Sequence, residues 1–149
     1  MRYLYNRDPA GGGGFFVTMS RGWRPVAAAL AFGAAYDLFF GVSILTIPGS
    51  LASSLHLELP ADPVYLYLNG VFLILIAGIY AAAARQPDRY PAIAPIAAGG
   101  RLIGCGFFLW AFAGGRPNAF VALAIGDLAI GLATFLAWRR SIAYVSAPR

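Results

Sequence analysis

The sequence predicts an all-α fold, an integral membrane protein built as a four-helix transmembrane bundle. Hydrophobic residues make up 60% of the 149-residue chain and charged residues only 11%, less than half of the share usual in soluble proteins. The mean hydropathy is +0.69. The chain also contains four apolar runs, each of about 20 residues or more and therefore long enough to cross a bilayer. A chain of this length predicts one domain of a few spans.

The predicted spans begin and end at residues that favour helix termini. Pro25 suits the first turn of a helix, where its missing N–H leaves no hydrogen bond unmade, and Pro48 with Gly49 ends the first span. Asp62 followed by Pro63 is typical of a helix start and opens the second. Polar turns that contain proline separate the later spans. The spans are expected at residues 25–48, 63–84, 92–113 and 119–138 of a transmembrane domain covering residues 25–140.

The segments outside the spans are predicted to be short. Residues 1–24 contain a run of four glycines and are expected to form a flexible cytoplasmic tail, and residues 141–149 a second cytoplasmic tail. In residues 50–62, Leu51, Leu55 and Leu59 recur every fourth position. This spacing predicts a short helix that lies in the plane of the membrane interface.

The placement of arginine predicts the orientation. All 11 basic residues are arginine, and nine of them lie in the N-terminal segment, the turn between the second and third spans, and the C-terminal tail. The other two loops contain only Arg116. By the positive-inside rule both termini are cytoplasmic. The arginine usage, together with abundant alanine, glycine and proline, is typical of a GC-rich genome, so we expect a multi-pass protein of a bacterial cytoplasmic (inner) membrane.

Composition also excludes several classes of function. Apart from Arg101, the arginines lie outside or at the ends of the apolar runs rather than on one solvated face, so no nucleic-acid partner is predicted. One cysteine and one histidine do not make a metal site, since zinc requires four ligands. The sequence contains no phosphate-binding glycine loop, nucleophile elbow or metalloprotease helix, so no catalytic residue is predicted and an enzymatic role is not favoured.

Each span contributes one strongly polar residue to the middle of the bilayer: Asp37, Asn69, Arg101 and Asp127. Counted from the cytoplasmic end of each span at about 1.5 Å per residue, they lie at depths of roughly 18, 22, 14 and 16 Å in that order. A charge at such a depth is costly, so these side chains should face the inside of the bundle. An arginine is long enough to bridge two carboxylates, and we expect Arg101 to contact both aspartates.

The predicted cluster allows two interpretations. Two carboxylates and one guanidinium sum to one negative charge, so either one aspartate holds a proton or a cation or cationic ligand completes the site. Alternatively the cluster is structural, because polar side chains in membrane bundles fix helix register through hydrogen bonds of about 0.6 kcal/mol each. Aromatic residues make up 15% of the chain, which suits a flat lipophile such as a quinone and suits ordinary packing equally well.

Small residues predict close helix packing around the cluster. Gly33, Asp37 and Gly41 share one face of the first span, and Gly100 with Gly104 forms a GxxxG pair beside Arg101. Because the connections are short, successive helices are expected to be antiparallel neighbours.

Residues 100–110 (GRLIGCGFFLW) resemble the GRLxxGxxF-type segment of DoxX-like small four-helix membrane proteins. Gly126-Asp127-Leu128, followed by Gly131, is similar to the last helix of that family. The position differs, because the family segment usually opens the first helix and here it opens the third. The resemblance implies a four-helix bundle that works beside redox or quinone-linked partners, and it carries over only Arg101 and its glycines.

These observations lead to two functional hypotheses. The first is a non-catalytic accessory subunit of a membrane complex, redox or quinone-linked, which the very short loops favour. The alternative is a binding or transport protein whose Asp-Arg-Asp cluster holds a proton, a cation or the head group of a small molecule. The expected partners are the lipid bilayer and either other membrane proteins or further copies of the chain. No resident cofactor is predicted; a quinone or another lipophile is the ligand considered.

Overall fold

The computed structural model describes residues 21–146, and this part of the chain contains five α-helices and no strand. A 3-10 turn at Arg21–Trp23 precedes them. The helices are α1 (Arg24–Thr46), α2 (Pro48–Ser54), α3 (Val64–Arg85), α4 (Ile93–Ala113) and α5 (Ala119–Ser146). All of them except α2 are long and apolar enough to cross a membrane, so the predicted all-α fold with four candidate spans is confirmed. The predicted N-terminal tail up to residue 20 lies outside the described residues.

The ends of α1, α3 and α4 lie within two residues of the predicted spans, whereas α5 continues past Trp138 to Ser146. No helix-breaking residue follows Trp138 before Pro148, so nothing in the sequence stops the helix there. The buried Ser141 hydroxyl also donates to the carbonyl oxygen of Gly22 at 2.6 Å. Residues 141–146, which the sequence analysis places in a tail, are therefore helical and pack against the 3-10 turn that precedes α1.

A short helix forms between the first two spans, but it contains only Leu51 of the three leucines whose spacing predicted it. It is α2, and it ends where His56 adopts a left-handed conformation with φ of 54°. The amides of His56 and Leu57 donate to the carbonyls of Ser53 and Ala52, the two hydrogen bonds of a Schellman motif. This C-cap reverses the chain, so that residues 57–60 return over the end of the bundle.

The helices pack as two pairs that α1 joins. α1 packs against α3, α4 packs against α5, and α1 also packs against α5. The prediction that successive helices are neighbours is wrong for α3 and α4, which touch only slightly, and α3 does not contact α5. Close packing occurs where glycines face a neighbour: a Cβ on Gly41 would lie 2.9 Å from the carbonyl oxygen of Gly70 in α3. In contrast, a Cβ on Gly99, Gly100 or Gly106 of α4 would meet nothing within 4 Å.

The two ends of the bundle differ. At the end that carries the arginine-rich segments, a compact core fills the space between α1, α3, α4 and α5. Its buried members are Trp23, Val26, Leu30, Ala83, Ala94, Ala97 and Ala137. Toward the other end, where residues 47–63 connect α1 to α3, the interior contains a cavity. The polar residues predicted from the sequence lie on the wall of this cavity.

Candidate functional site

Three charged side chains from three helices meet in the middle of the bundle. Arg101 in α4 lies between Asp37 of α1 and Asp127 of α5, with Nη2 2.7 Å from Oδ1 of Asp37 and Nη1 2.7 Å from Oδ1 of Asp127. Arg101, Asp37 and Asp127 are only 8%, 3% and 7% exposed. We call these three residues the charged triad. It connects the two helix pairs, because α1 belongs to one pair and α4 and α5 to the other.

Two further groups hold the guanidinium, and neither contact was predicted from the sequence. The carbonyl oxygen of Gly33 accepts a hydrogen bond from Nη2 of Arg101 at 3.2 Å. The guanidinium carbon lies 4.9 Å from the centre of the Tyr36 ring, a cation–π contact. Both residues are within one helical turn of Asp37, so their positions beside a buried aspartate were the signal available in the sequence. Both terminal nitrogens and one face of the Arg101 guanidinium are thus in contact with the protein.

Glycines of α4 and α5 allow the triad to form. A Cβ on Gly131 would lie 3.0 Å from Cβ of Arg101, and one on Gly104 would collide with Oδ2 of Asp127. Gly100, the other half of the predicted GxxxG pair, is exposed and faces open space. Only Gly104 of that pair therefore contributes to close packing, because the helix is rotated so that Arg101 and Cys105 face inward.

Asn69 in α3 is the predicted polar residue that the structure does not join to the triad. It lies on the wall of the cavity, but it is exposed, and no hydrogen bond links it to another side chain within residues 21–146. The predicted depth already placed it farthest from the cytoplasmic end. Its amide is therefore a polar group on the cavity wall with no partner from the described part of the protein.

The cavity has a volume of about 320 Å³, and the charged triad lies on its wall. Apolar residues from four helices form most of the remaining surface, and two of them, Phe108 and Phe120, stack edge to face with ring centres 5.8 Å apart. α2 and residues 55–60 contribute leucines that surround the mouth, namely Leu51, Leu55, Leu57 and Leu59. Glu58, also at the mouth, adds a fourth ionisable group.

The two aspartates share an asymmetry that bears on ligand binding. In both, Arg101 contacts Oδ1, and no hydrogen bond to Oδ2 is formed within residues 21–146. No fully buried side-chain oxygen or nitrogen in this part of the chain lacks a partner. The Oδ2 atoms therefore retain some accessible surface. Oδ2 of Asp127 lies against Gly104 of α4, and both aspartates are among the residues that line the cavity.

Within residues 21–146, no three histidine, cysteine, aspartate or glutamate side chains cluster in a way that could hold a metal ion. Comparison with protein family models, curated proteins and solved structures finds no match. The resemblance to DoxX-like proteins therefore stays a prediction that depends on residues 100–110 and the short segment around Asp127. The function has to be inferred from the chemistry of the cavity.

Proposed function

We propose that this protein is a membrane protein that binds a small lipophilic molecule in the cavity between α1, α3, α4 and α5. The observation that carries the proposal is that one cavity of about 320 Å³ is lined by all four polar residues singled out from the sequence. Small-molecule sites typically have volumes of about 300–1,000 Å³, with apolar walls and a few polar groups. The cavity matches that description in size and in lining.

A purely structural role for the charged triad would not account for the cavity. Polar side chains that only fix helix register are expected to be packed on all sides, since empty space in an interior lowers stability. Here Asp37 and Asp127 line the cavity, and in each of them one carboxylate oxygen has no hydrogen-bond partner within residues 21–146. Asn69 also has no partner from these residues. These groups are available to a bound molecule.

Binding is favoured over transport by the difference between the two ends of the bundle. The core around Val26 and Leu30 is packed from the triad to the arginine-rich end, and these two side chains are each 1% exposed. A molecule in the cavity therefore has no passage past Arg101 in this conformation. The cavity is therefore a binding site that opens toward one end of the bundle only.

We propose that both termini are cytoplasmic and that the membrane is a bacterial cytoplasmic (inner) membrane, because the arginine-rich segments lie together at the packed end. The cavity then opens in the outer half of the bilayer, toward the loop of residues 47–63.

The accessory-subunit hypothesis remains a second proposal, and a groove on the outside of α1 and α3 favours it. Small side chains line this groove, among them Ala27, Ala31, Ala77 and Ala81. Small residues let transmembrane helices approach closely, so a helix of a partner in a redox or quinone-linked complex would find space there. This role is compatible with small-molecule binding, because the groove and the cavity are separate.

Native mass spectrometry separates the two proposals. The full chain is extracted from its own membrane in the mildest effective detergent, and the masses that remain bound are identified. We expect a small molecule in stoichiometric amount. The Leu73→Trp variant should lose it, because Leu73 lines the cavity and a larger ring there occupies its volume. Leu75→Trp is the matched control on α3, since Leu75 is 57% exposed and lies away from the cavity.

The opposite outcome is equally informative. A stoichiometric larger polypeptide with no small molecule, unchanged in Leu73→Trp, would contradict the binding proposal and support the accessory-subunit proposal. A small molecule retained equally by Leu73→Trp and Leu75→Trp would show that it binds outside the cavity.

A further inference from the structure

The charges that line the cavity do not balance. Among the described residues of its wall, Asp37, Asp127 and Glu58 are acidic and Arg101 is the single basic residue. With all four ionised, the wall carries two net negative charges, one of them from the charged triad and one from the mouth. A region of low dielectric with an uncompensated negative charge attracts a cation.

Arg101 is poorly placed to attract an anionic ligand. Its Nη1 atom contacts Asp127, its Nη2 atom contacts Asp37 and donates to Gly33, and one face of its guanidinium lies over Tyr36. An incoming carboxylate or phosphate would have to displace these partners and would also meet the two aspartates. The Arg101 guanidinium is therefore occupied by contacts within the protein. The described wall of the cavity has no other basic side chain that could bind an anion.

The hydrogen-bonding groups that remain are mainly acceptors. Oδ2 of Asp37 and Oδ2 of Asp127 both require donors, which a quinone, with only acceptor oxygens, does not supply. The cavity's neutral donors are the Asn69 amide and the Tyr36 hydroxyl. A divalent metal ion is also a poor match, since such ions take about six or more oxygen ligands and most of the remaining wall is apolar.

Building on the proposed function, we propose that the ligand is a lipophilic monocation of the alkylammonium class. Its N–H groups donate to the carboxylates of Asp37 and Asp127, and its apolar chain extends along Phe108 and Phe120 toward the leucines of the mouth. Bound in this way, the ligand cancels the negative charge of the triad, and Glu58 attracts the cation as it enters.

Three probes of equal chain length test the charge requirement. Octylammonium, octanol and octanoate are titrated at neutral pH into the full chain in nanodiscs of uncharged lipid. The measured response is the thermal stabilisation of the protein by each probe. Binding in the cavity is the part of this stabilisation that Leu73→Trp abolishes and Leu75→Trp keeps. Comparing the two variants in this way subtracts the stability changes that the probes cause through the bilayer. We expect octylammonium to bind, and octanol and octanoate to bind at least about tenfold more weakly, as the loss of one charge-assisted hydrogen bond implies.

Two variants locate the charge that the probe meets. Asp127→Asn removes the net negative charge of the triad and should weaken octylammonium binding about tenfold. Because that change could also disturb folding, Glu58→Gln at the mouth provides an independent test and should weaken binding about twofold to fivefold. Asp62→Asn is its matched control: it removes an acidic charge from the same loop, away from the cavity wall, and should leave the affinity unchanged.

The inference and the proposed function fail in different ways. Octanol or octanoate binding as tightly as octylammonium, in a manner still lost in Leu73→Trp, would overturn the cation proposal and leave the cavity as a binding site. Equal effects of Glu58→Gln and Asp62→Asn would also overturn it. If no probe distinguishes Leu73→Trp from wild type, the cation proposal is wrong, and the proposed function is then decided by the molecule retained from the native membrane.

Discussion

Arg101 is the residue on which the polar interior depends, because it gives two buried carboxylates their counterion. Removing one partner of a buried ion pair costs about 3–5 kcal/mol, since it leaves an uncompensated charge in a medium of low dielectric. We therefore predict that Arg101→Leu lowers the free energy of unfolding by about this amount, measured in detergent against wild type. Arg140→Leu removes an exposed arginine of α5 and should change stability by less than about 0.5 kcal/mol.

A triple substitution separates the structural from the binding role of the triad. Replacing Arg101, Asp37 and Asp127 together by leucine exchanges the charges for apolar volume, which is often neutral or stabilising. We expect the triple variant to regain most of the stability lost in Arg101→Leu and to lose the bound small molecule in native mass spectrometry. A folded triple variant that retains the molecule would mean that the triad serves only to hold the helices together.

The sequence predicts the triad better than its surroundings, for a physical reason. A charged residue inside an apolar run must turn inward, so Asp37, Arg101 and Asp127 could be recognised from hydropathy alone. The depth of a residue along a helix does not define which face of the helix points inward when most of its neighbours are alanine or glycine. The sequence therefore did not show that Gly100 faces outward or that Asn69 lies apart from the triad. The cavity itself was not predicted, because it arises from how the helices are spaced.

At the scale of helices, the crossing of α1 and α3 determines where the cavity can open. Gly41 and Gly70 bring these two backbones together, and a Cβ on Gly41 would lie 2.9 Å from the carbonyl oxygen of Gly70 and 3.2 Å from the amide nitrogen of Ile74. We predict that Gly41→Ala destabilises the protein by about 1–3 kcal/mol, because backbone atoms cannot move aside as a flexible side chain can. The midpoint of thermal unfolding in detergent measures the change.

Gly78→Ala on α3 is the matched control, since a Cβ there meets nothing within 4 Å. It should be neutral or stabilising by up to about 1 kcal/mol, because alanine favours a helix more than glycine does. Equal destabilisation by the two substitutions would contradict the close crossing at Gly41.

Helix ends were easier to predict than helix neighbours. Proline and glycine define the starts and ends of α1, α3 and α4, and the sequence shows them directly. The short turn between α3 and α4 suggested that these helices pack together, yet their glycines do not face each other, so they separate and leave the cavity between the helix pairs. Contact between helices depends on small residues that face each other, as well as on the length of the connection.

At the scale of the whole molecule, the two ends of the bundle differ both in packing and in charge. Exposed arginines 85, 89, 139 and 140 lie at the packed end, whereas the end with the cavity carries the acidic residues Glu58 and Asp62 and one exposed arginine, Arg116. If the positive-inside rule holds, a ligand reaches the cavity from the outer leaflet, and the acidic mouth faces the side from which a cation would arrive. Orientation and the proposed ligand are thus linked.

Cysteine labelling measures this orientation in intact cells. The native Cys105 is buried and should give no background with a membrane-impermeant thiol reagent. We predict that Ser53→Cys, exposed on α2, is labelled in whole cells, whereas Asp88→Cys, exposed in the turn between α3 and α4, is labelled only after the membrane is permeabilised. The reverse pattern would place the cavity on the cytoplasmic side. An external cation would then have no direct route to Asp37 and Asp127, because the packed core lies between them and the outer surface.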